Sequence, residues 1–121
     1  MNFIMDKAAK SIIWLGDSRK IVRSFPTEVK QDIGVALYDA QMCEKSPLAK
    51  PFKGVGSGVF EIAIRFDKNA YRLVYAVQIG EHIYVLHAFQ KKSTRGIATS
   101  KQDVHLIQRR YRQAIDLENE L

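Results

Sequence analysis

The stretch that decides the fold is VFEIAIRFDKNAYRLVYAVQIGEHIYVLHAF, residues 59–89. It contains three runs rich in β-branched and aromatic residues, VFEIAIRF (59–66), AYRLVYAVQI (70–79) and HIYVLHAF (82–89), parted only by DKN and by a turn around Gly80 and Glu81. Gaps that short join antiparallel neighbours, because a parallel return needs a crossover of about a dozen residues. The three runs therefore predict a meander. Alternation along the first run sends Phe60, Ile62, Ile64 and Phe66 to one face and Glu61, Ala63 and Arg65 to the other. In the second, Tyr71, Leu73, Tyr75 and Val77 oppose Arg72, Val74, Ala76 and Gln78. The first set in each strand is expected to face helices, and the second to face outward.

Outward from the meander, the chain reads as helices and one more strand. KSIIWLG (10–16) predicts a short strand ending at Gly16, with Asp17 or Ser18 capping a brief helical stretch. Pro26 suits the first turn of a second helix, where a missing N–H costs nothing, and Val29, Ile33, Ala36, Leu37 and Ala40 line one face of it. Residues 45–58, with two prolines and three glycines, are expected to be irregular. Ser100 is placed to cap a last helix whose buried stripe is Val104, Ile107, Tyr111, Ala114 and Ile115. The expected fold class is α+β: an N-terminal strand, a helical hairpin, an antiparallel meander and a C-terminal helix. Residues 10–121 form one domain, preceded by an arm of residues 1–9.

The chain has 121 residues, of which 46% are hydrophobic, enough for one ordinary core. No apolar run approaches the roughly 20 residues of a membrane helix, so the expectation is a cytoplasmic protein with no membrane partner. The single cysteine, Cys43, excludes an internal disulfide and falls within a helical pattern, where a thiol serves as a small apolar filler. The formal net charge is +6. It is localised: residues 46–101 carry 9 basic side chains against 3 acidic ones, while the flanking segments are nearly balanced. A localised cationic field is what an anionic partner, most often nucleic acid, selects.

Several of those cations are expected at one end of the sheet. If Lys68 and Asn69 form a two-residue turn, Arg65 stands opposite Arg72 on the outward face. Two arginines so placed repel by a few tenths of a kcal/mol, so either an anion lies between them or Glu61 pairs with one of them. Lys91 and Lys92 follow the third run, so Arg72, Lys91 and Lys92, with Arg65 and Lys53, can surround a single backbone phosphate. Phe89, beside the lysines, is the candidate for stacking on a base. His87 shares strand parity with Val85 and Phe89 and reads as sheet packing, His82 reads as solvent-facing near a turn, and His105 lies before the buried stripe of the last helix. The three show no metal-ligand spacing. Arg109, Arg110 and Arg112 read as an exposed helix face.

AYRLVYAV followed one strand later by a basic pair resembles the RelE/ParE superfamily of toxins from type II toxin-antitoxin systems. The closer resemblance is to the phage-derived HigB-like subfamily, through WLGDS (14–18), FP (25–26), ALYDAQ (36–41), KPFKGVGSGVFEI (50–62), YRLVY (71–75), HAFQKKS (87–93) and DVHLIQRR (103–110). It covers residues 10–113. What it implies is a RelE-like fold and an endoribonuclease, an mRNA interferase that cleaves messages at the ribosomal A site without a cofactor or metal and inhibits translation. A helix-turn-helix antitoxin is the implied partner. Arg72 would stabilise the phosphate, Lys91 and Lys92 correspond to the basic pair, and Lys92 takes the place of an arginine proposed as general acid. Where such toxins carry two lysines, this chain has Glu61 and Ala63, which makes Glu61 the candidate base. Arg65, Lys53, Phe89, Gln90 and Arg95 complete the expected RNA-binding set. The same scaffold serves ParE-like toxins that bind a topoisomerase without nuclease chemistry; a third reading is a degenerate phage remnant that only binds an antitoxin or DNA.

Overall fold

In the computed structural model, which describes residues 9–92 and 99–121 with Lys92 by its backbone alone, the elements follow in this order. They are β1 (Ile12–Trp14), α1 (Ser18–Arg23), α2 (Thr27–Gln41), β2 (Ala49–Pro51), β3 (Val59–Phe66), β4 (Asn69–Ile79), β5 (His82–Lys92) and α3 (Lys101–Asn119). The expected arm at residues 1–9 lies almost wholly outside the described residues, as does Arg95.

The meander forms as its spacing requires, and the sheet order is β1-β5-β4-β3-β2. β3, β4 and β5 are antiparallel neighbours, while β1 pairs with β5 in parallel. β2 is a correction to the expectation of irregular chain: Ala49, Lys50 and Pro51 pair with Ile62, Glu61 and Phe60 at the sheet edge, where Pro51 is tolerated.

The β3–β4 turn also differs from expectation. Phe66 pairs with Asn69, so the two turn residues are Asp67 and Lys68, not Lys68 and Asn69. Both have positive φ, 51° and 66°, as a type I′ hairpin turn demands, and Asp is among the residues that tolerate it. The register therefore moves: Arg65 stands opposite Ala70, and Arg72 opposite Ala63.

Helices cover both faces, giving three layers. Val29, Ile33, Ala36, Leu37 and Ala40 of α2 are all buried, and with Val22 and Phe25 they pack on Ile62, Ile64, Tyr71, Leu73, Tyr75, Val85 and Ala88. The expected helix-facing sets of β3 and β4 are thus confirmed. The other face does not simply point outward. Ile107 and Ala114 of α3 lie against Val74, Ala76, Tyr84, Leu86 and Phe89, with Tyr111 and Ile115 at the margin. Ser100 caps α3 as expected, its Oγ accepting from the Asp103 N–H at 3.1 Å. Asp17 precedes α1 without a side-chain cap, because its carboxylate is engaged elsewhere. Cys43 is not a core filler: it falls just past α2, exposed, with φ 64°.

Candidate active site

Three strands bring the cations together on the face that α3 covers only in part. In an antiparallel sheet directly paired residues project to the same side, so the register defines rows across the strands. One row is Arg65, Ala70 and Lys91; the next is Ala63, Arg72 and Phe89; the third is Lys50, Glu61, Val74 and His87. Arg65, Arg72 and Lys91 thus lie at the corners of a patch whose floor is two alanines. The small methyl groups of Ala63 and Ala70 leave a concave space of about 270 Å³, lined by Ala63, Ile64, Arg65, Ala70 and Arg72.

Arg72 is only 15% exposed at its side chain and is held in place by Glu61, its Nη1 donating to Oε2 at 3.3 Å. Glu61 is itself buried, and the same oxygen lies 3.7 Å from Nζ of Lys50. An intrasheet pair between Glu61 and Arg72, one of the two outcomes expected, is therefore present. Because an ionised buried carboxylate needs a cation beside it, the pair fixes the direction of the guanidinium.

A bulge in β5 decides what flanks this patch. Val74 pairs with His87 but Tyr75 pairs with Val85, so Leu86 is an extra residue and both Leu86 and His87 face α3. Parity with Val85, read from the sequence, is broken there, and His87 joins Phe89 on the Arg72 side. The Leu86 carbonyl accepts from Nη1 of Arg110 at 3.0 Å, and Nη2 of Arg110 donates to Asp17 at 2.9 Å. Arg110 is therefore a partly buried strut, not part of an exposed face. Its guanidinium packs on Gly16, whose φ of +53° and lack of a Cβ make room for it. The hydrogen bond from Arg110 is the main reason the Asp17 carboxyl lies below its ordinary value, against a smaller opposing effect of burial.

His87 is buried, and its Nε2 lies 2.9 Å from Oδ1 of Asp103 in the first turn of α3. Burial pushes the Asp103 carboxyl up, but hydrogen bonds from His87 and Ser100, with the positive charge of Lys91 nearby, outweigh it and leave the group below its ordinary value. The His87 ring stacks on Phe89, centroids 4.9 Å apart and planes 24° apart, and Nζ of Lys91 lies 5.9 Å from the Phe89 centroid. Phe89 is 8% exposed, so its faces are engaged by the protein and not offered to a base as expected.

Other expected residues fall elsewhere. Gln90 pairs with Tyr71 and lies on the opposite face. Lys53 is exposed in the β2–β3 connection, and the cation beside Glu61 is Lys50, which the edge strand β2 delivers. Lys92 ends β5 with its backbone in register with Asn69. His82 is not simply solvent-facing: its Nδ1 lies 2.8 Å from Oε1 of Glu118, which also accepts from the Tyr84 hydroxyl at 2.6 Å. Those two bonds, Tyr84 foremost, hold the Glu118 carboxyl below its ordinary value, and burial with the Glu118 charge pushes Tyr84 up to about 12. Among the described residues no group of three or more His, Cys, Asp or Glu side chains is arranged to hold a metal ion. No helix of the described residues is long and apolar enough to cross a membrane.

A five-stranded sheet with two helices on one side, a capped C-terminal helix on the other and a cationic patch at the free end of the meander defines a RelE-like fold. The isolated Escherichia coli RelE toxin, in the P21 crystal form, is similar to this chain with a TM-score of 0.54 at 20% sequence identity, over 84% of this chain and 98% of that one. The family model described as Phage derived protein Gp49-like matches residues 20–112, and the chain belongs to that phage-derived family. Among curated protein sequences none matches it with significance. The expected family and fold are thereby confirmed.

Proposed function

We propose that the protein is the toxin of a type II toxin-antitoxin system and cleaves messenger RNA without a metal. The observation that carries this reading is that three adjacent strands place Arg65, Arg72 and Lys91 on one face of the sheet, where Arg65 and Arg72 line the concavity over Ala63 and Ala70. A phosphate fits such a patch because guanidinium groups donate in pairs to its oxygens and a lysine adds a movable charge.

In the proposed reaction a ribose 2′-hydroxyl loses its proton and its oxygen attacks the adjacent phosphorus. The bond from phosphorus to the 5′-oxygen breaks, and that oxygen takes a proton. The products are a 2′,3′-cyclic phosphate and a 5′-hydroxyl. Arg72, with Arg65, stabilises the charge that grows on the phosphorane oxygens, which is usually the largest single contribution in such catalysis. Glu61 orients Arg72 through Oε2, and its carboxylate is the proton acceptor assigned to the 2′-hydroxyl. Lys91 or Lys92 donates to the leaving oxygen. The proposed setting is the ribosomal A site in the cytoplasm, with the toxin silenced by a helix-turn-helix antitoxin.

Mapping message ends by primer extension after induction, beside a plasmid supercoiling assay, tests this reading. Cuts at defined codon positions support it. Intact messages with relaxed or broken plasmid would replace it with topoisomerase poisoning.

A further inference from the structure

Beyond the cationic residues, the geometry points to His87 as a positioning residue of the same site, acting with Asp103 as one unit to hold Lys91 over the phosphate patch. The inference rests on the nuclease reading above. Its basis is a continuous chain of contacts from α3 to the patch. Ser100 Oγ donates to Oδ2 of Asp103 at 2.8 Å, and Oδ1 of Asp103 faces His87 Nε2 at 2.9 Å. His87 stacks on Phe89, and Phe89 lies beneath the Lys91 ammonium. The inner links are fixed: His87 and Phe89 are buried, and Asp103 belongs to the first turn of a 19-residue helix.

Two features are difficult to explain by packing alone. The Leu86–His87 bulge interrupts the β4–β5 ladder and is what turns the imidazole toward α3; an apolar residue on a regular strand would fill the same layer without it. The imidazole also buries Nδ1 without a hydrogen-bond partner among the described residues, a costly arrangement for a residue serving only as filler. Since the Asp103 carboxylate only accepts, Nε2 must carry the hydrogen, which fixes the tautomer and ring plane. A ring of fixed plane gives Phe89 a fixed plane, and the electron-rich face of Phe89 gives the Lys91 ammonium a defined seat. Bulges of this kind are over-represented beside active sites because they re-aim a side chain.

The test uses the full chain with His87→Phe, which keeps an aromatic surface for Phe89 but cannot donate to Asp103, and Asp103→Asn, which keeps the shape of the acceptor. The double variant completes a cycle. Thermal melting confirms folding, and cleavage of a translated message gives kcat and KM. Misplacing a reacting group by about 1 Å can lower turnover by about a hundredfold. Each single variant should therefore lose kcat by about tenfold or more with KM unchanged, and the double variant should lose no more than the worse single one. Folded single variants with wild-type kcat, or losses that multiply in the double variant, would overturn the inference while leaving the nuclease reading intact. A wild-type protein that cleaves nothing would overturn both.

Discussion

Arg72 and Glu61 meet diagonally across β3 and β4, Nη1 to Oε2 at 3.3 Å, because Arg72 pairs with Ala63 and Glu61 with Val74. The ion pair is a ladder feature: no loop has to close to bring the two groups together. Removing the carboxylate takes this ion pair from a largely buried guanidinium. Glu61→Ala is expected to destabilise the fold by about 2 kcal/mol, moderated by the partial exposure of Arg72, and to abolish cleavage. Urea denaturation of the purified variant measures the first, and turnover on a translated message the second.

Arg72→Lys keeps the charge but loses the planar fork. Its kcat should fall by about a hundredfold, close to the loss in Arg72→Ala, since directed hydrogen bonds to developing charge carry the effect. Wild-type turnover in Arg72→Lys would show that only net charge matters.

The floor of the patch makes a separate prediction. Ala63 is exposed and pairs with Arg72, so Ala63→Leu fills the concavity without changing any charge. Cleavage should drop at least tenfold with melting temperature changed little, because surface substitutions of this kind stay within about 0.5 kcal/mol.

Three carboxylates anchor α3: Asp103 to His87 within its first turn, Glu118 to Tyr84 and His82 near its end, and Asp17 to Arg110 from the β1–α1 turn. All three lie below their ordinary values of 3.8 for the aspartates and 4.5 for the glutamate. A carboxyl depressed in the folded state binds its proton more readily when unfolded. Its stabilisation is therefore complete above the ordinary value and is lost as pH falls through the folded one. Melting temperature should hold from neutrality to about pH 5 and then fall, less steeply in Glu118→Gln and Asp103→Asn than in the wild type. Parallel profiles in all three proteins would contradict this.

Ser100→Ala removes the acceptor of the Asp103 N–H and a donor to its carboxylate. The expected cost is about 1 kcal/mol by chemical denaturation, typical of an N-cap.

Much of the fold was legible because its signals are local. The three runs of the meander, the apolar face of α2 and the Ser100 cap each follow from residues within a few positions of one another. The site was legible only in part, and the failures have physical causes. Choosing Asp67 and Lys68 as the turn residues required two positive φ angles at residues other than glycine, so Arg65 moved from Arg72 to Ala70. The bulge at Leu86 broke the parity that assigned His87, and nothing in HIYVLHAF marks it. Arg110 and Asp17 are separated by most of the chain, and only the docking of α3 joins them. Lys50 was overlooked because a three-residue edge strand carries too short a pattern to recognise.

In the proposed reaction, cations on one face of the meander act on a scissile phosphate. The reaction is tested most simply by end-group analysis of a message cut by purified protein on translating ribosomes, with Arg72→Ala alongside. The expected ends are a 2′,3′-cyclic phosphate and a 5′-hydroxyl, both vanishing in the variant. Persistent cutting by Arg72→Ala, or an uncut message with the wild type, would contradict the proposed reaction.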